Sequence, residues 1–86
     1  MPEISRFFGI VIAMYHNDHA PPHIHARYGE YRAKFDIASG TLIEGTMPPR
    51  ARALVREWCN LHLNELREDW EMVQERRAPN KIEPLE

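Results

Sequence analysis

The sequence predicts a single α+β domain: a small antiparallel β-meander of about five short strands, covered on one face by a long or bent C-terminal helix. Two observations carry this prediction. Residues 1–45 contain short runs of β-branched and aromatic residues separated by turn residues. From residue 50 to 77 the chain has no glycine or proline, and apolar residues recur at helical spacing. We therefore divide residues 1–86 into the meander with its His-Pro loop (1–45), a helical segment (47–77) and an extended tail (78–86).

The first two strands are expected over Ile4–Phe8 and Ile10–Tyr15, joined at a turn where Gly9 takes a positive φ. The second run is apolar at nearly every position, which is typical of a strand covered on both faces. Residues 16–23, HNDHAPPH, then form a loop, because neither Asn17-Asp18 nor Pro21-Pro22 continues a strand.

The next two alternating runs form the clearest hairpin in the chain. They are separated by Gly29-Glu30, which is compatible with a type II′ turn. A two-residue turn places Tyr28 opposite Tyr31 and, at the far end, His23 opposite Asp36. This register puts the apolar residues on one face of the sheet. The opposite face collects the polar side chains, namely His23, His25, Arg27, Arg32, Lys34 and Asp36.

The second half of the chain begins with a short last strand over Thr41–Glu44. A helix follows, with its N-cap at Thr46 or Met47 and proline in its first turn. The apolar stripe drifts around this helix after Leu61, so we expect either a bend near residues 62–64 or two helices that meet there. In the tail, Ile82 and Leu85 are expected to pack against the sheet. The remaining large apolar residues are assigned to the core, namely Met14, Tyr28, Tyr31, Trp58, Trp70 and Met72, with Cys59 as a buried bystander.

Composition excludes several classes of function. A net charge of −2 and a pI near 6.2 argue against a dedicated DNA-binding domain. The single cysteine, Cys59, excludes an internal disulfide and a zinc site built from several thiolates. The chain has no long apolar run and no signal-peptide pattern, so we expect a cytoplasmic protein without membrane association.

The histidines of the loop and the third strand favour a metal site. Two histidines at positions i and i+2 of a strand, His23 and His25, point the same way, and the preceding loop offers Asp18 and His19. We take His19, His23 and His25 as the candidate ligands of a divalent transition metal such as zinc. An H-x-H pair alone is a weak signal, because short ligand motifs recur by chance.

An acid–base site is the second chemical hypothesis. His23 beside Asp36 would be an imidazole oriented by a carboxylate, and Arg27 would bind an anionic group nearby. His23, Asp36 and Arg27 are thus the candidate catalytic residues of a ribonuclease-like centre. The surrounding binding surface is assigned to Asp18, His19, His25, Arg32 and Lys34, and such a basic face is also compatible with RNA.

A purely structural interpretation stands beside these two. In it, His19 and His23 hydrogen-bond the Pro21-Pro22 loop, while His25 and the basic residues form a solvated sheet face.

Two motifs stand out in the first half of the chain: I-S-x-F-x-G-I-x-I-x-M over Ile4–Met14 and D-H-x-P-P-H-x-H over Asp18–His25. In both, the chain closely resembles a family of small bacterial proteins known only as domain of unknown function 4160. The helix opening Pro49–Trp58 and the ending Ile82–Leu85 are also similar. The resemblance thus covers the whole chain.

The resemblance implies a partner rather than a reaction. Genes of this family often lie next to a gene of domain-of-unknown-function family 2442, in an arrangement like that of toxin–antitoxin pairs. We therefore expect an interaction component of such a two-gene unit, which binds its neighbour's product or forms a homodimer. The alternative is a small hydrolase, ribonuclease or metal-binding protein that uses His19, His23 and His25.

Overall fold

The computed structural model describes residues 2–16 and 18–86, so the predicted role of Asn17 in the loop lies outside the described residues. It confirms the α+β class, with one five-stranded antiparallel sheet and two helices. The strands are β1 (Glu3–Phe7), β2 (Ile10–Ala13), β3 (His23–Tyr28), β4 (Tyr31–Asp36) and β5 (Leu42–Gly45). The helices are α1 (Pro49–Leu61) and α2 (Leu63–Gln74).

The sheet is a meander in which each strand pairs with the next along the chain. The turn between β1 and β2 has positive φ at both central residues, 49° at Phe8 and 80° at Gly9. Two left-handed residues match the twist of the flanking strands, as in the common two-residue hairpins. The predicted positive φ of Gly9 is therefore confirmed.

The β3–β4 hairpin has the predicted register at all six pairs, from Tyr28 opposite Tyr31 to His23 opposite Asp36. Gly29 has a φ of 59°, as the first central residue of a type II′ turn requires. A slip by one residue would turn Ile24 and Phe35 away from the core, so burial and turn geometry select the same pairing.

The helical segment is two helices rather than one bent helix. His62 has φ −118° and ψ 28°, which interrupts the helix between Leu61 and Leu63. The N-cap is Pro48 and not Thr46 or Met47, and Pro49 occupies the first helical position, where a missing N–H costs nothing. α2 ends at Gln74, earlier than the predicted 77, because Arg76 takes a positive φ of 62°.

The core lies between one face of the sheet and the two helices. Val55 and Trp58 of α1 and Leu66 of α2 are fully buried against sheet residues such as Ile24 and Phe35. Of the residues assigned to the core, Met14 and Trp58 are fully buried and Trp70 and Met72 half-buried, and Cys59 is buried as expected. Tyr28 and Tyr31 were also expected in the core, but both are exposed, because they flank the turn at the tip of the hairpin.

The tail returns across the sheet and closes the core. The Ile82 N–H donates to the Ile4 carbonyl of β1 at 2.8 Å, and Trp58 Nε1 donates to the Glu83 carbonyl at 2.8 Å. Ile82 and Leu85 are buried, as expected. Within the described ranges, neither helix is long and apolar enough to cross a membrane.

Candidate functional site

The loop between β2 and β3 holds Asp18 against the start of β3. The loop contains Pro21 and Pro22, with a cis bond between Ala20 and Pro21. Two hydrogen bonds fix Asp18: the His19 N–H donates to its Oδ1 at 3.0 Å, and Gln74 Nε2 of α2 donates to its carbonyl at 3.1 Å. Asp18 is therefore hydrogen-bonded both within the loop and to the second helix.

Asp18 meets two histidines of β3. His23 Nε2 and His25 Nε2 each lie 2.9 Å from the same atom, Asp18 Oδ2. One potential ligand atom from each of the three residues lies within 4.8 Å of the others. The two histidines share a side of β3 because side chains at i and i+2 of a strand point the same way. We call Asp18, His23 and His25 the Asp-His-His cluster.

The other ring nitrogen of His23 fixes its tautomer. His23 Nδ1 lies 2.7 Å from the Pro21 carbonyl, which only accepts hydrogen bonds, so Nδ1 carries the proton and donates. In a neutral His23, Nε2 therefore has no hydrogen and turns its lone pair toward the Asp18 carboxylate. Two acceptors at 2.9 Å repel each other, so this contact requires a proton on Nε2 or a cation between the two groups.

The cluster is partly shielded from solvent. The side chain of His23 is 5% exposed, that of Asp18 18% and that of His25 25%. The Trp70 ring of α2 lies 5.4 Å from the His23 ring, and the Tyr15 ring stands edge-on to His25 at 4.3 Å. An ion that reaches the cluster would pass His25 and Asp18 and leave His23 at the inner end.

Burial and hydrogen bonding shift the pKa values of two members. Burial disfavours the Asp18 carboxylate, but hydrogen bonds from His25 and the His19 N–H, and the proximity of His23, outweigh it and lower the pKa to about 2. Burial lowers the pKa of His25 from its usual value near 6.5, and Asp18 offsets only part of that effect. At neutral pH, Asp18 is thus ionised and His25 is neutral, and a metal ion bound at His25 Nε2 would replace the proton that this nitrogen donates to Asp18.

The structure brings together only some of the predicted site residues. His19, proposed as a metal ligand, is exposed and lies outside the Asp-His-His cluster; the loop supplies Asp18 instead. His23 and Asp36 are register neighbours as expected. However, His23 directs its ring nitrogens to Pro21 and Asp18, whereas Asp36 Oδ1 accepts the Ala38 N–H at 2.8 Å. The expected orientation of His23 by Asp36 is therefore corrected to orientation by Asp18.

Arg27, Arg32 and Lys34 of the hairpin line a groove on the face of the sheet opposite the core. Its cavity measures about 260 Å³. The walls carry Val11, Ala13, Tyr15, His25, Arg27, Arg32, Lys34 and Glu44. Lys34 Nζ lies 3.5 Å from Glu44 Oε2, across the β4–β5 pair. Because His25 belongs both to the groove and to the Asp-His-His cluster, the two features form one continuous site.

The comparisons with known proteins identify the family and nothing further. No curated protein and no solved structure matches the chain. One family model, described as a domain of unknown function (DUF4160), matches residues 9–71, and these residues include the whole Asp-His-His cluster and all the residues that line the groove. The match extends over well more than half of the 86 residues, and this chain belongs to the DUF4160 family.

Proposed function

We propose that the protein binds a divalent transition-metal ion through Asp18, His23 and His25, and that this centre supports hydrolytic chemistry on a ligand held in the groove. The observation that carries the proposal is the tautomer of His23. Its Nδ1–H donates to the Pro21 carbonyl, so Nε2 faces the Asp18 carboxylate and, when deprotonated, offers its lone pair on that side. A backbone carbonyl that fixes the distal nitrogen of a histidine is the usual outer support of a metal ligand.

The donor set fits zinc or a similar ion. Two imidazole nitrogens and one carboxylate oxygen suit zinc, iron and other borderline divalent metals, and not calcium or magnesium, which prefer oxygen alone. A tetrahedral ion with bonds of 2.0–2.1 Å separates its ligand atoms by about 3.4 Å. The observed 2.9 Å contacts to Asp18 Oδ2 would thus open by roughly half an ångström, which a partly exposed carboxylate accommodates.

A site with three protein ligands is more typical of a catalytic metal ion than of a structural one. Structural zinc sites have four protein ligands, whereas catalytic ones keep a position for water or substrate. His25 borders the groove, so that open position would face the cavity. There a bound ion would supply a polarised water near neutral pH.

A cobalt titration tests the proposal. Co²⁺ added to EDTA-treated, untagged protein is expected to give the visible absorption of a nitrogen- and oxygen-ligated ion with a stoichiometry of one. Asp18→Asn and His25→Gln should each weaken binding at least tenfold. The matched control is His19→Ala, which removes an exposed histidine next to Asp18 and should bind Co²⁺ within twofold of the wild type.

His23 is too buried to serve as the only variant, since its loss could disturb packing around Trp70. Circular dichroism on each variant separates unfolding from loss of a ligand. The proposal would be contradicted if His19→Ala and His25→Gln weakened Co²⁺ binding equally. It would also be contradicted if the protein were saturated with Co²⁺ without a change in the visible spectrum.

A second candidate function is the interaction component of a toxin–antitoxin-like two-gene unit. One observation favours it: Phe8, at the tip of the β1–β2 turn, is 57% exposed and borders a small cavity lined by Tyr28, Pro48 and Leu54. Large apolar side chains grouped on a surface are typical of protein interfaces. Because this surface differs from the groove, the two functions are compatible.

Co-expression with the product of the adjacent gene tests this second candidate. Stable co-purification that is lost on Phe8→Ser and kept on Leu61→Ser is the expected result, since Leu61 is equally exposed but outside that cavity. Absence of a complex with the wild type would contradict it.

A further inference from the structure

The pairing of two arginines across β3 and β4 is unusual for a stable sheet. Arg27 and Arg32 are directly opposite each other in the register, and both line the groove. Like charges directly opposite on one face of an antiparallel pair destabilise it. An acidic residue at either position would make the strand pair more stable, so a sheet surface with no other role would favour one there. The retained repulsion therefore needs a physical explanation.

Neither arginine is neutralised within the protein. Among residues 2–16 and 18–86, no carboxylate lies within ion-pair distance of either guanidinium. The hydrogen bond from Arg6 lowers the pKa of Glu3 and the charge of Arg27 contributes to this, but the Glu3 carboxylate forms its ion pair with Arg6, at 2.8 Å. The Glu44 carboxylate is paired with Lys34. The groove therefore holds two unpaired positive charges in a chain whose net charge is −2.

We propose that Arg27 and Arg32 form a binding site for the phosphate group of a phosphate ester, next to the Asp-His-His cluster. The inference rests on the proposed function, for which it names the substrate class. A guanidinium presents paired N–H donors that match two phosphate oxygens. When two guanidinium groups bind the same phosphate, their attraction to the anion offsets their repulsion for each other. A phosphate monoester carries up to two negative charges and three terminal oxygens, so it can neutralise both guanidinium groups at once, whereas a carboxylate supplies a single charge.

The spacing of the strand places this phosphate beside the cluster. Arg27 follows His25 by two residues, which is about 7 Å along a strand, and both side chains project from the same face. An arginine side chain spans that distance, so an ester bound by the pair would reach the open side of His25. The cavity of about 260 Å³ accommodates a phosphate with a sugar-sized group attached.

The test measures phosphate binding without metal. EDTA-treated protein is titrated calorimetrically at low salt with inorganic phosphate, with adenosine 5′-monophosphate as a monoester and with a dinucleotide as a diester. Saturable binding of at least one of these is expected. Arg27→Gln and Arg32→Gln should each weaken it at least tenfold, and the control Arg67→Gln, on the exposed side of α2, should leave it within twofold. Preference for monoester or diester then identifies the kind of ester.

Two further measurements keep this proposal separate from the metal site. Asp18→Asn, which should lose the metal, is expected to bind phosphate within threefold of the wild type. The unfolding temperature of Arg27→Gln without phosphate should equal or exceed that of the wild type, because one of two opposed charges is gone. The proposal is overturned if none of the three compounds binds, or if both glutamine variants bind as tightly as the wild type. It also fails if Asp18→Asn alone abolishes binding, since the phosphate would then depend on the cluster and not on the arginines.

Discussion

Asp18 is the residue on which the candidate site depends. It comes from a loop, is fixed by the His19 N–H and by Gln74, and presents a single oxygen to two imidazoles. With a pKa near 2, it remains a carboxylate over the whole physiological range. Any pH dependence of metal binding near neutrality must therefore come from the histidines.

We expect metal affinity to be constant above pH 7 and to fall as the pH is lowered from there. The folded-state pKa of His25 is lowered by burial, so the ring is neutral at pH 7 and gains a second proton only under more acidic conditions. Each proton displaced by the metal lowers the affinity about tenfold per pH unit. Cobalt titrations from pH 5 to 8 measure this. An affinity that keeps rising between pH 7 and 8 would show that a different group controls binding.

At the scale of secondary structure, the β4–β5 pairing depends on the absence of a side chain at Gly45. A Cβ built there would lie 2.2 Å from the Arg32 carbonyl oxygen, and φ is 89°. Gly45→Ala should therefore lower the free energy of unfolding by about 2–4 kcal/mol. Gly29→Ala is the control: φ is 59° but nothing lies within 4 Å, so only backbone strain of about 1–2 kcal/mol applies. Chemical denaturation gives both values, and equal losses would contradict the account of the pairing.

The junction of α2 with the tail contains a buried carboxyl group. Asp69 is 1% exposed; its Oδ1 accepts the Asn80 N–H at 2.9 Å, and its Oδ2 has no partner among the described residues. Burial raises its pKa from 3.8 to about 6, although the Asn80 N–H opposes the shift. The folded state therefore prefers the protonated form.

This preference makes stability depend on pH in a defined direction. The stabilising contribution of protonated Asp69 is complete below pH 3.8 and is lost as the pH rises through about 6. A shift of this size corresponds to at most about 3 kcal/mol. The unfolding temperature of Asp69→Asn should therefore increase relative to that of the wild type as the pH rises from 4.5 to 8. A difference between the two proteins that stays constant over this range would contradict the burial argument.

The sequence predicted the hairpin better than the loop, for a physical reason. The register of β3 and β4 follows from a two-residue turn and strict alternation, both of which are local. The choice between Asp18 and His19 as the loop's contribution depends on the backbone path through Pro21-Pro22 and on a contact with Gln74 on α2. Neither can be inferred from the spacing of residues, so the sequence pattern favours His19, the residue next along the chain, as the loop's ligand. The same limit applies to Asp36, a register neighbour of His23 that instead binds the Ala38 N–H.

At the scale of the whole molecule, the two faces of the sheet have separate roles. One face packs against α1, α2 and the tail and supplies the core. The other carries the groove, which is lined by strand residues and Tyr15, with the basic side chains at its centre. The Asp-His-His cluster lies at one end of the groove, where Trp70 and Gln74 of α2 contact it. β3 serves both faces, because Ile24 and Ala26 alternate with His23, His25 and Arg27 along it. Substitutions of the less buried residues on this face, such as Arg27 and Arg32, can thus alter binding with little cost in stability.

The metal content of the protein tests the central claim most directly. The untagged chain would be produced in medium supplied with zinc, manganese, iron and nickel, purified without chelators and analysed by mass spectrometry for bound metals. We expect close to one equivalent of a transition metal in the wild type and in His19→Ala, and less than a tenth of an equivalent in Asp18→Asn. Metal-free wild-type protein that also takes up no cobalt would contradict the claim, and the contact between Asp18 and His23 would then be an ion pair held by a proton.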